Sequence, residues 1–431
     1  MATTVAELIE RVVGPAPPVR FEAYDGSRIG PADAPATVVL RSPDALRRII
    51  QSPGELGLGR AYVAGDADIE GDLYSVLHLK EQLPSIKLSP SDVLAALRAV
   101  GLSGLRPLAP PPEEARLRGL RHSKARDAAA VSHHYDVSND FYRLVLGPAM
   151  TYSCAVWTSP DGTLEDAQAA KHELVCRKLD LRPGMRLLDV GCGWGGMLIH
   201  AARHHGVEAV GVTISERQVE LARARIEEAG LSDRVTVRLQ DYRDVDDGPY
   251  DAISSIGMFE HVGAAKLAEY FGDMYALLRP AGRFLNHGIS RPPGERARFR
   301  RRGFIERYVF PDGELHEIGS VVSAIQRAGF EVRNLESLRE HYALTLRAWV
   351  RNLETNWGAA AAEVGEGRAR VWRIYMAGSA VGFGDGGIQV HQTLGVRTDD
   401  GRSGMALRPD WEAQPLVTAL PVGSRQSVAT P

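Results

Sequence analysis

Residues 187–196 read LLDVGCGWGG, in which an apolar run ends at Asp189 and four glycines fall within six residues. Gly191, Gly193 and Gly196 satisfy the G-x-G-x-x-G spacing of a dinucleotide-binding turn. Glycine lets the backbone approach a ligand without a Cβ in the way. Because the same turn serves S-adenosylmethionine (SAM) as well as NAD, this stretch predicts a nucleotide site and leaves the nucleotide open.

The segments around this turn alternate between strand-like and helix-like patterns. Strand-like runs are MRLLDVG, VEAVGVT, RVTVRLQD, YDAISSIG and GRFLNHGIS. GMLIHAARHH and SERQVELARARIEEAG carry apolar residues at helical spacing, and the second helix stops at Gly230. The alternation predicts a parallel, doubly wound α/β sheet that binds ligands at the carboxyl ends of its strands. Residues 340–380 look largely helical and are expected to cap the site.

The strand ends favour SAM over NAD. NAD requires an acid at the end of the second strand for its ribose hydroxyls, but Thr213 stands there and Glu216 starts the next helix. Asp189 could orient the turn or bind the amino group of an amino-acid ligand. Asp241, at the end of the third strand, could accept from an adenine amino group beside the ring of Tyr242. The alternative that the glycines serve only a tight turn stays open.

The composition of the 431-residue chain is that of an ordinary globular protein, with 44% hydrophobic and 24% charged residues. A net charge of −3 gives no reason to expect nucleic-acid binding. Cys154, Cys176 and Cys192 form no C-x-x-C pair, so neither a disulfide framework nor a metal site is predicted and a reducing cytoplasm is expected. MATTVAELIERVV is not a secretory signal, and no uncharged apolar run reaches the ~20 residues that span a bilayer, so membrane contact is expected to be peripheral.

Changes in composition predict four segments. They are a small α+β domain at 1–105, a Pro/Arg-rich linker at 106–130, the nucleotide-binding domain at 131–396 and a flexible tail at 397–431.

Two basic stretches have two interpretations each. The basic block between residues 116 and 126 is either a solvated linker or a contact for anionic lipid head groups. The run RARFRRRGFIER at 296–307, with Phe299 and Phe304 interleaved, is either a solvated face or a phosphate-binding surface. No nucleic-acid-binding motif accompanies either stretch, so no nucleic-acid partner is expected.

Five separated blocks, in order within 131–395, resemble the cyclopropane fatty acyl phospholipid synthase family and its mycolic-acid methyltransferase relatives. They are YDVSNDFYRLVLGPAMTYSCAVW (135–157), LLDVGCGWGG (187–196), GVTISERQ (211–218), IGMFEHVG (256–263) and HYALTLRAW (341–349). LGLGRAYVAGDADIEGDL resembles, more loosely, the lipid-side domain of the longer members. The resemblance implies a class I SAM-dependent methyltransferase fold, a Rossmann-like sheet with a helical cap and a small N-terminal α+β domain on the lipid side.

The resemblance also explains why the acid of the second strand is missing, because this family uses Thr213 and then Gln218 at that place. It adds two SAM contacts from the segment before the sheet. With the residues inferred from the strand ends, the predicted SAM-binding set is Tyr152, Ser153, Asp189, Gly191, Gly193, Thr213, Gln218, Asp241 and Tyr242.

The family's substrate is an unactivated cis alkene in a phospholipid acyl chain, and methyl transfer leaves a carbocation. The site must therefore exclude water, and a base must remove a proton. The resemblance implies a bound bicarbonate as that base, oriented by Glu260 and hydrogen-bonded by His287 and Tyr342, with backbone groups of Cys154 and Ile289. Taken singly, side chains of these types are more often core or surface groups than catalytic ones, and Cys154 is not expected to be a nucleophile.

FLNHGIS departs from the L-H-[TS]-I pattern of the family at Asn286 and Gly288, and Gly288 is expected to loosen the backbone beside His287. The fate of the cation stays open. Direct proton loss closes a cyclopropane. A prior hydride shift gives the exocyclic methylene of the actinobacterial, tuberculostearic-type branch and implies a downstream reductase. Attack by water gives an alcohol.

The sequence thus predicts a cytoplasmic enzyme, peripheral at the inner membrane face, that modifies unsaturated phospholipid acyl chains. A homodimer is expected from the resemblance alone. Two alternatives remain: a methyltransferase of a small soluble metabolite, and a non-catalytic protein that binds lipid or SAM. Double-bond position and head-group preference are not determined by the sequence.

Overall fold

The fold is seen in a computed structural model that describes residues 3–82, 106–115, 137–294, 303–311 and 313–411. The basic block between residues 116 and 126, residues 296–302 of the second basic run, and the tail after Trp411 lie outside the described residues. Their proposed contacts with lipid or phosphate therefore stay predictions.

The N-terminal part contains a four-stranded sheet in the order β2-β1-β3-β4. Its strands are β1 (Arg20–Ala23), β2 (Arg28–Ile29), β3 (Ala36–Leu40) and β4 (Ala67–Gly71). The accompanying helices are α1 (Val5–Val13), α2 (Pro43–Gln51), α3 (Glu55–Val63) and α4 (Leu73–Gln82). The first helix begins at a capping box, in which the Thr4 hydroxyl accepts from the Glu7 amide and the Glu7 carboxylate accepts from the Thr4 amide.

A second sheet carries the glycine turn and has the order β11-β12-β9-β8-β5-β6-β7, with β10 paired to β9. Its strands are β5 (Arg186–Val190), β6 (Glu208–Thr213), β7 (Val235–Leu239), β8 (Tyr250–Ile256), β9 (Leu278–Arg291), β10 (His316–Glu317), β11 (Glu331–Ser337) and β12 (Gln389–Val396). Strands β5 to β9 pair in parallel, and β12 and β11 add an antiparallel edge. The predicted doubly wound α/β sheet is confirmed. Chain order reverses at β5, so a ligand cleft is expected at its carboxyl end.

Helices cover both faces of this sheet because neighbouring strand residues point to opposite sides. Leu187 and Leu285 pack with one set of helices, and Leu188 and Phe284 pack with the other. Among the helices that contact this sheet are α6 (Leu164–Leu179), α7 (Gly196–His205), α8 (Glu216–Glu228), α9 (Leu267–Leu277) and α11 (Ile318–Arg327). Two further helices, α5 (Asn139–Leu146) and α10 (Phe304–Tyr308), belong to the separate apolar cluster that contains Trp349 and Trp372.

The predicted helical cap is present as α12 (Arg339–Thr355), α13 (Trp357–Val364) and α14 (Glu366–Gly384). It is joined to the N-terminal sheet through Arg370, which donates to the carbonyl oxygen of Tyr62 (3.2 Å) and to the carboxylate of Asp68 (3.0 Å). Within the part of the chain that the structure describes, no helix combines the length and apolarity needed to cross a bilayer.

Gly288 provides space rather than flexibility, which corrects the expectation that it loosens the backbone. It lies inside β9 and pairs with His391 of β12. A Cβ at this position would lie 1.8 Å from Cε1 of Phe259. The missing side chain therefore lets the Phe259 ring pack against the strand, and Phe259 directly precedes Glu260.

Gly288→Ala is expected to destabilise the protein by about 1–3 kcal/mol, because the added methyl group must displace a buried ring. Thermal unfolding measures the change. Gly378→Ala in α14 is the control, since a Cβ there meets nothing within 4 Å and alanine is favoured in a helix. Equal melting temperatures for the two variants would show that the Phe259 contact does not constrain the strand.

Candidate active site

A cavity lies at the carboxyl end of β5, where the glycine turn leads into α7. Gly191, Gly193 and Gly195 have φ of 77°, 53° and 79°, a region that disfavours residues with a Cβ. A Cβ on Gly191 would lie 2.4 Å from the Met258 side chain, whereas Gly193 faces open space. The turn therefore needs its glycines both for its conformation and for its close packing.

The structure brings every residue of the predicted SAM-binding set to the wall of this cavity. They are Tyr152, Ser153, Asp189, Gly191, Gly193, Thr213, Gln218, Asp241 and Tyr242. The set converges because β5, β6 and β7 end at one edge of the sheet and the segment before α6 lies across that edge.

Asp189 provides a buried carboxylate at the end of β5. Its Oδ1 accepts a hydrogen bond from Ser254 Oγ at 2.6 Å, and burial raises the pKa of the carboxyl to about 6. A cationic group placed beside it would restore the ionised form. This environment suits the amino group of an amino-acid ligand.

The opposite part of the cavity offers a planar aromatic surface. Asp241 is held by Arg243, whose Nε and Nη2 donate to it at 2.8 and 2.6 Å. The Arg243 backbone amide also donates to Asp241 Oδ1, at 3.0 Å. The Tyr242 ring stands edge-on to Tyr270 at 5.0 Å, and burial raises the Tyr242 pKa to about 12, which keeps the phenol neutral.

Lys171 is a cavity residue that the sequence analysis missed. Its side chain is buried, and its Nζ donates to Ser153 Oγ at 3.2 Å. Burial lowers its pKa to about 8. The available signal was helical spacing, since Lys171 lies four and eight residues before Val175 and Leu179 on the buried side of α6. A buried ammonium group here is suited to a ligand carboxylate.

Glu260 lies in a 3-10 turn, Phe259–His261, after β8. Its Oε1 accepts from the Ile289 amide at 2.7 Å. Its Oε2 is buried and has no hydrogen-bond partner among the described residues. Burial raises the Glu260 pKa to about 7. One oxygen is thus fixed by β9, and the other is left for a ligand.

The neighbours of His287, on β9, determine which of its ring nitrogens carries the proton. Gln392 Oε1 accepts from Lys178 Nζ at 2.8 Å, which turns the Gln392 amide nitrogen toward His287 Nδ1 at 3.2 Å. Nδ1 must then accept, so the proton of the neutral ring lies on Nε2. Burial lowers the His287 pKa to about 3, and Nε2 has no partner in the described ranges. His287 therefore presents a neutral N–H donor.

Cys154 and Tyr342 join this group through backbone contacts. The Cys154 thiol and the Tyr342 amide both donate to the Leu338 carbonyl oxygen, at 3.6 and 3.1 Å. The Leu338 amide donates to the Val390 carbonyl oxygen at 2.9 Å, and Val390 pairs with Ile289. Burial raises the pKa of the Cys154 thiol well above its usual value, so a nucleophilic thiolate is disfavoured.

The five predicted catalytic residues lie next to the cavity rather than on it, since none of them is among the described residues that line it. Ile256 and Gly257 do line it, and the Gly257 amide donates to the His287 carbonyl oxygen at 2.8 Å. Beside them, Tyr152 stacks on Trp349 with ring centroids 5.2 Å apart. The cavity wall thus contacts cap helix α12 through this pair of aromatic rings.

Glu260→Gln is expected to change how stability depends on pH. Because its pKa is raised, the Glu260 carboxyl is favoured in its neutral form in the folded protein. The protonated carboxyl therefore contributes its full stabilisation of the folded state below pH 4.5, and this contribution is lost as the pH rises to about 7. A shift of this size corresponds to about 3 kcal/mol.

Glutamine stays neutral, so the stability of the variant relative to the native protein should rise between these pH values and then level off. Denaturant unfolding as a function of pH measures the difference, with the exposed Glu228→Gln as control. A constant difference across that range would contradict the buried, partly protonated state of Glu260.

The chain is similar to known proteins in sequence and in fold. The family model described as mycolic acid cyclopropane synthetase matches residues 122–393. A probable fatty acid methyltransferase of Mycobacterium tuberculosis is 46% identical over 407 residues, which cover 92% of this chain and 95% of that protein. The cyclopropane-fatty-acyl-phospholipid synthase of Escherichia coli K12 is 36% identical over 362 residues, 84% of this chain and 88% of that protein.

Among solved structures, the mycolic acid cyclopropane synthase CmaA1 complexed with SAH and CTAB has a TM-score of 0.59 and 37% sequence identity. The match covers 62% of this chain and 98% of that one. The similarity to the two curated relatives thus extends over most of the chain, and the similarity to the solved structure over a smaller share.

Proposed function

Because the chain belongs to the mycolic acid cyclopropane synthetase family, we propose that it transfers the methyl group of SAM, as a methylene unit, to the cis double bond of an unsaturated phospholipid acyl chain. The chain is an enzyme that uses SAM to modify lipid acyl chains. One observation carries the finer proposal: two buried polar atoms, Glu260 Oε2 and His287 Nε2, have no partner within the described residues beside a SAM-type cavity.

In this proposal the cavity binds SAM through the charged groups of its amino-acid part and through its adenine. Asp189 binds the amino group of SAM, and the Lys171 ammonium group binds the oppositely charged carboxylate of SAM. Asp241 and Tyr242 bind the adenine, the first by accepting a hydrogen bond and the second by its ring. SAM supplies an electrophilic methyl group.

The surrounding side chains would keep water from the cation that methylation creates. Tyr152 stacks on Trp349, and the Tyr342 ring stands edge-on to Trp349 at 6.0 Å. These rings offer no strong nucleophile, and the buried thiol of Cys154 is protonated. A dry, aromatic enclosure favours loss of a proton over attack by water.

We propose bicarbonate as the base, and the chain's residues fit it. An anion with one O–H needs an acceptor for its proton and donors for its oxygens, and ionised Glu260 Oε2 and His287 Nε2–H are such a pair. Tyr342 is proposed as a further donor and Cys154 as a backbone contact. The Ile289 amide already donates to Glu260, so its contribution is to hold that carboxylate in place. Bicarbonate would supply the proton acceptor of the final step.

The product is proposed to be a cyclopropane or a methylene-branched chain. For action on phospholipid, we propose that the enzyme works at the inner membrane face as a peripheral protein. A methylene product would require a reductase to act on it afterwards. A homodimer remains a proposal carried by family resemblance alone.

The test is an incubation of the purified protein with SAM and oleoyl-phospholipid liposomes, followed by proton NMR of the extracted lipid. Upfield cyclopropyl protons would establish ring closure, and vinylidene protons would establish a hydride shift and a methylene branch. Unchanged lipid with SAM still bound would contradict the phospholipid proposal and favour a small soluble substrate.

Glu260→Gln is expected to lower turnover by more than about tenfold, because the base loses the acceptor that orients it. SAM affinity should change little, since Glu260 does not line the cavity. Calorimetric titration with SAM and the lipid assay give the two readouts, and Glu228→Gln is the matched control. Parallel losses of binding and turnover would assign Glu260 a structural role.

A further inference from the structure

A second cluster of polar side chains lies between α6 and α7, away from the residues that line the cavity. The ligand-type atoms of Cys176, His200 and His205 lie within 4.8 Å of one another. Glu173 Oε2 lies 3.2 Å from His200 Nε2 and 3.0 Å from His205 Nε2. Cys176 on α6 and the two histidines on α7 thus form a three-ligand group, and the Glu173 carboxylate contacts both of its imidazoles.

The contacts of His205 show that this point suits a cation. His205 Nδ1 lies 3.3 Å from the Leu181 carbonyl oxygen, which can only accept, so Nδ1 carries the proton of a neutral ring. His205 Nε2 then turns a lone pair toward a Glu173 oxygen. Two lone pairs at that separation repel each other unless a proton or a metal ion lies between them.

The carboxylate is oriented for coordination through one oxygen. Arg177 Nε donates to Glu173 Oε1 at 2.8 Å, which leaves Oε2 facing the two imidazoles. The Leu181 carbonyl oxygen orients the His205 ring in the same way, by accepting from its Nδ1–H. Metal ligands commonly have such outer contacts, which fix the tautomer and direction of the coordinating group.

We propose that Glu173, Cys176, His200 and His205 bind one Zn²⁺ ion in tetrahedral coordination. Zn²⁺ accepts thiolate, imidazole and carboxylate ligands together, and four protein ligands close the site. Binding displaces the thiol proton of Cys176 to solvent, since the thiolate is the ligand. The His200, His205 and Glu173 side chains are 12%, 19% and 17% exposed, which leaves an entry path for the ion.

The site would hold together the two helices that flank the SAM cavity. Lys171, on the cavity wall, lies two residues before Glu173 on α6, and α7 begins at Gly196 of the glycine turn. None of the four ligands is among the described residues lining the cavity, so the ion is structural rather than catalytic. This proposal does not depend on the identity of the lipid product.

The test uses the full-length protein, treated with a chelator and then titrated calorimetrically with Zn²⁺. We expect one ion per chain and a higher melting temperature with Zn²⁺ than without. Co²⁺ serves as a second probe, and a thiolate-to-cobalt charge-transfer band is expected that Cys176→Ser abolishes. His205→Gln should weaken Zn²⁺ binding by more than the roughly 10-fold to 100-fold that loss of an outer contact produces.

His204→Ala is the matched control, because His204 is an exposed neighbour on the same helix and is not a proposed ligand. It should bind Zn²⁺ as the native protein does. Circular dichroism and SAM binding check that each variant folds, and His205→Gln at the partly exposed helix end remains informative if Cys176→Ser does not fold. Absence of stoichiometric Zn²⁺ binding, or equal binding by native protein and His205→Gln, would overturn the proposal and leave a proton on His205 as the occupant.

Discussion

The hydrogen bond from the Ile289 amide to Glu260 is the interaction on which the arrangement of the candidate site depends. It anchors one carboxylate oxygen to β9 and leaves the other oxygen buried. Gly288 makes the anchor possible, because only a residue without a side chain leaves room for the Phe259 ring that precedes Glu260. The raised pKa of Glu260 follows from the same enclosure. The geometry of β9, the packing of the Phe259 ring and the pKa of Glu260 therefore depend on one another.

A second line of contacts runs from α6 to the sheet and acts on His287. Lys178 is buried, contacts Glu336 and donates to Gln392, which in turn faces His287. Each member determines the orientation of the next, so the proton on the His287 ring is placed by groups on another helix and another strand. The contacts from Lys178 to His287 Nδ1 are each satisfied, and a buried polar chain of this kind favours one arrangement of the core.

The sequence predicted the parts of the molecule that depend on local pattern. The sheet, the glycine turn and the strand-end residues Asp189, Asp241 and Tyr242 follow from strand ends and glycine spacing. Tyr152, Ser153, Thr213 and Gln218 were added by the family resemblance, and the structure brings both groups to one cavity. Lys171 and Gln392 escaped notice because their roles arise from packing between distant segments. Cys176 was dismissed as a metal ligand for the same reason, since its proposed partners His200 and His205 stand on another helix. The prediction that Gly288 loosens the backbone was wrong because its role depends on the Phe259 ring, which packs into the space left by the missing side chain.

The contacts of Arg370 constrain how an acyl chain can enter. Its side chain, 10% exposed, donates to the carbonyl oxygens of Tyr62 and Ala67 and to the carboxylate of Asp68. Moving α14 away from the N-terminal sheet would break these three contacts and leave Arg370 paired, within the described part of the chain, only with Glu366 of its own helix. The cap helix α14 is therefore attached to the N-terminal sheet and does not move freely relative to it. Any entry of an acyl chain that required α14 to move away from the N-terminal sheet would therefore have to break this joint first.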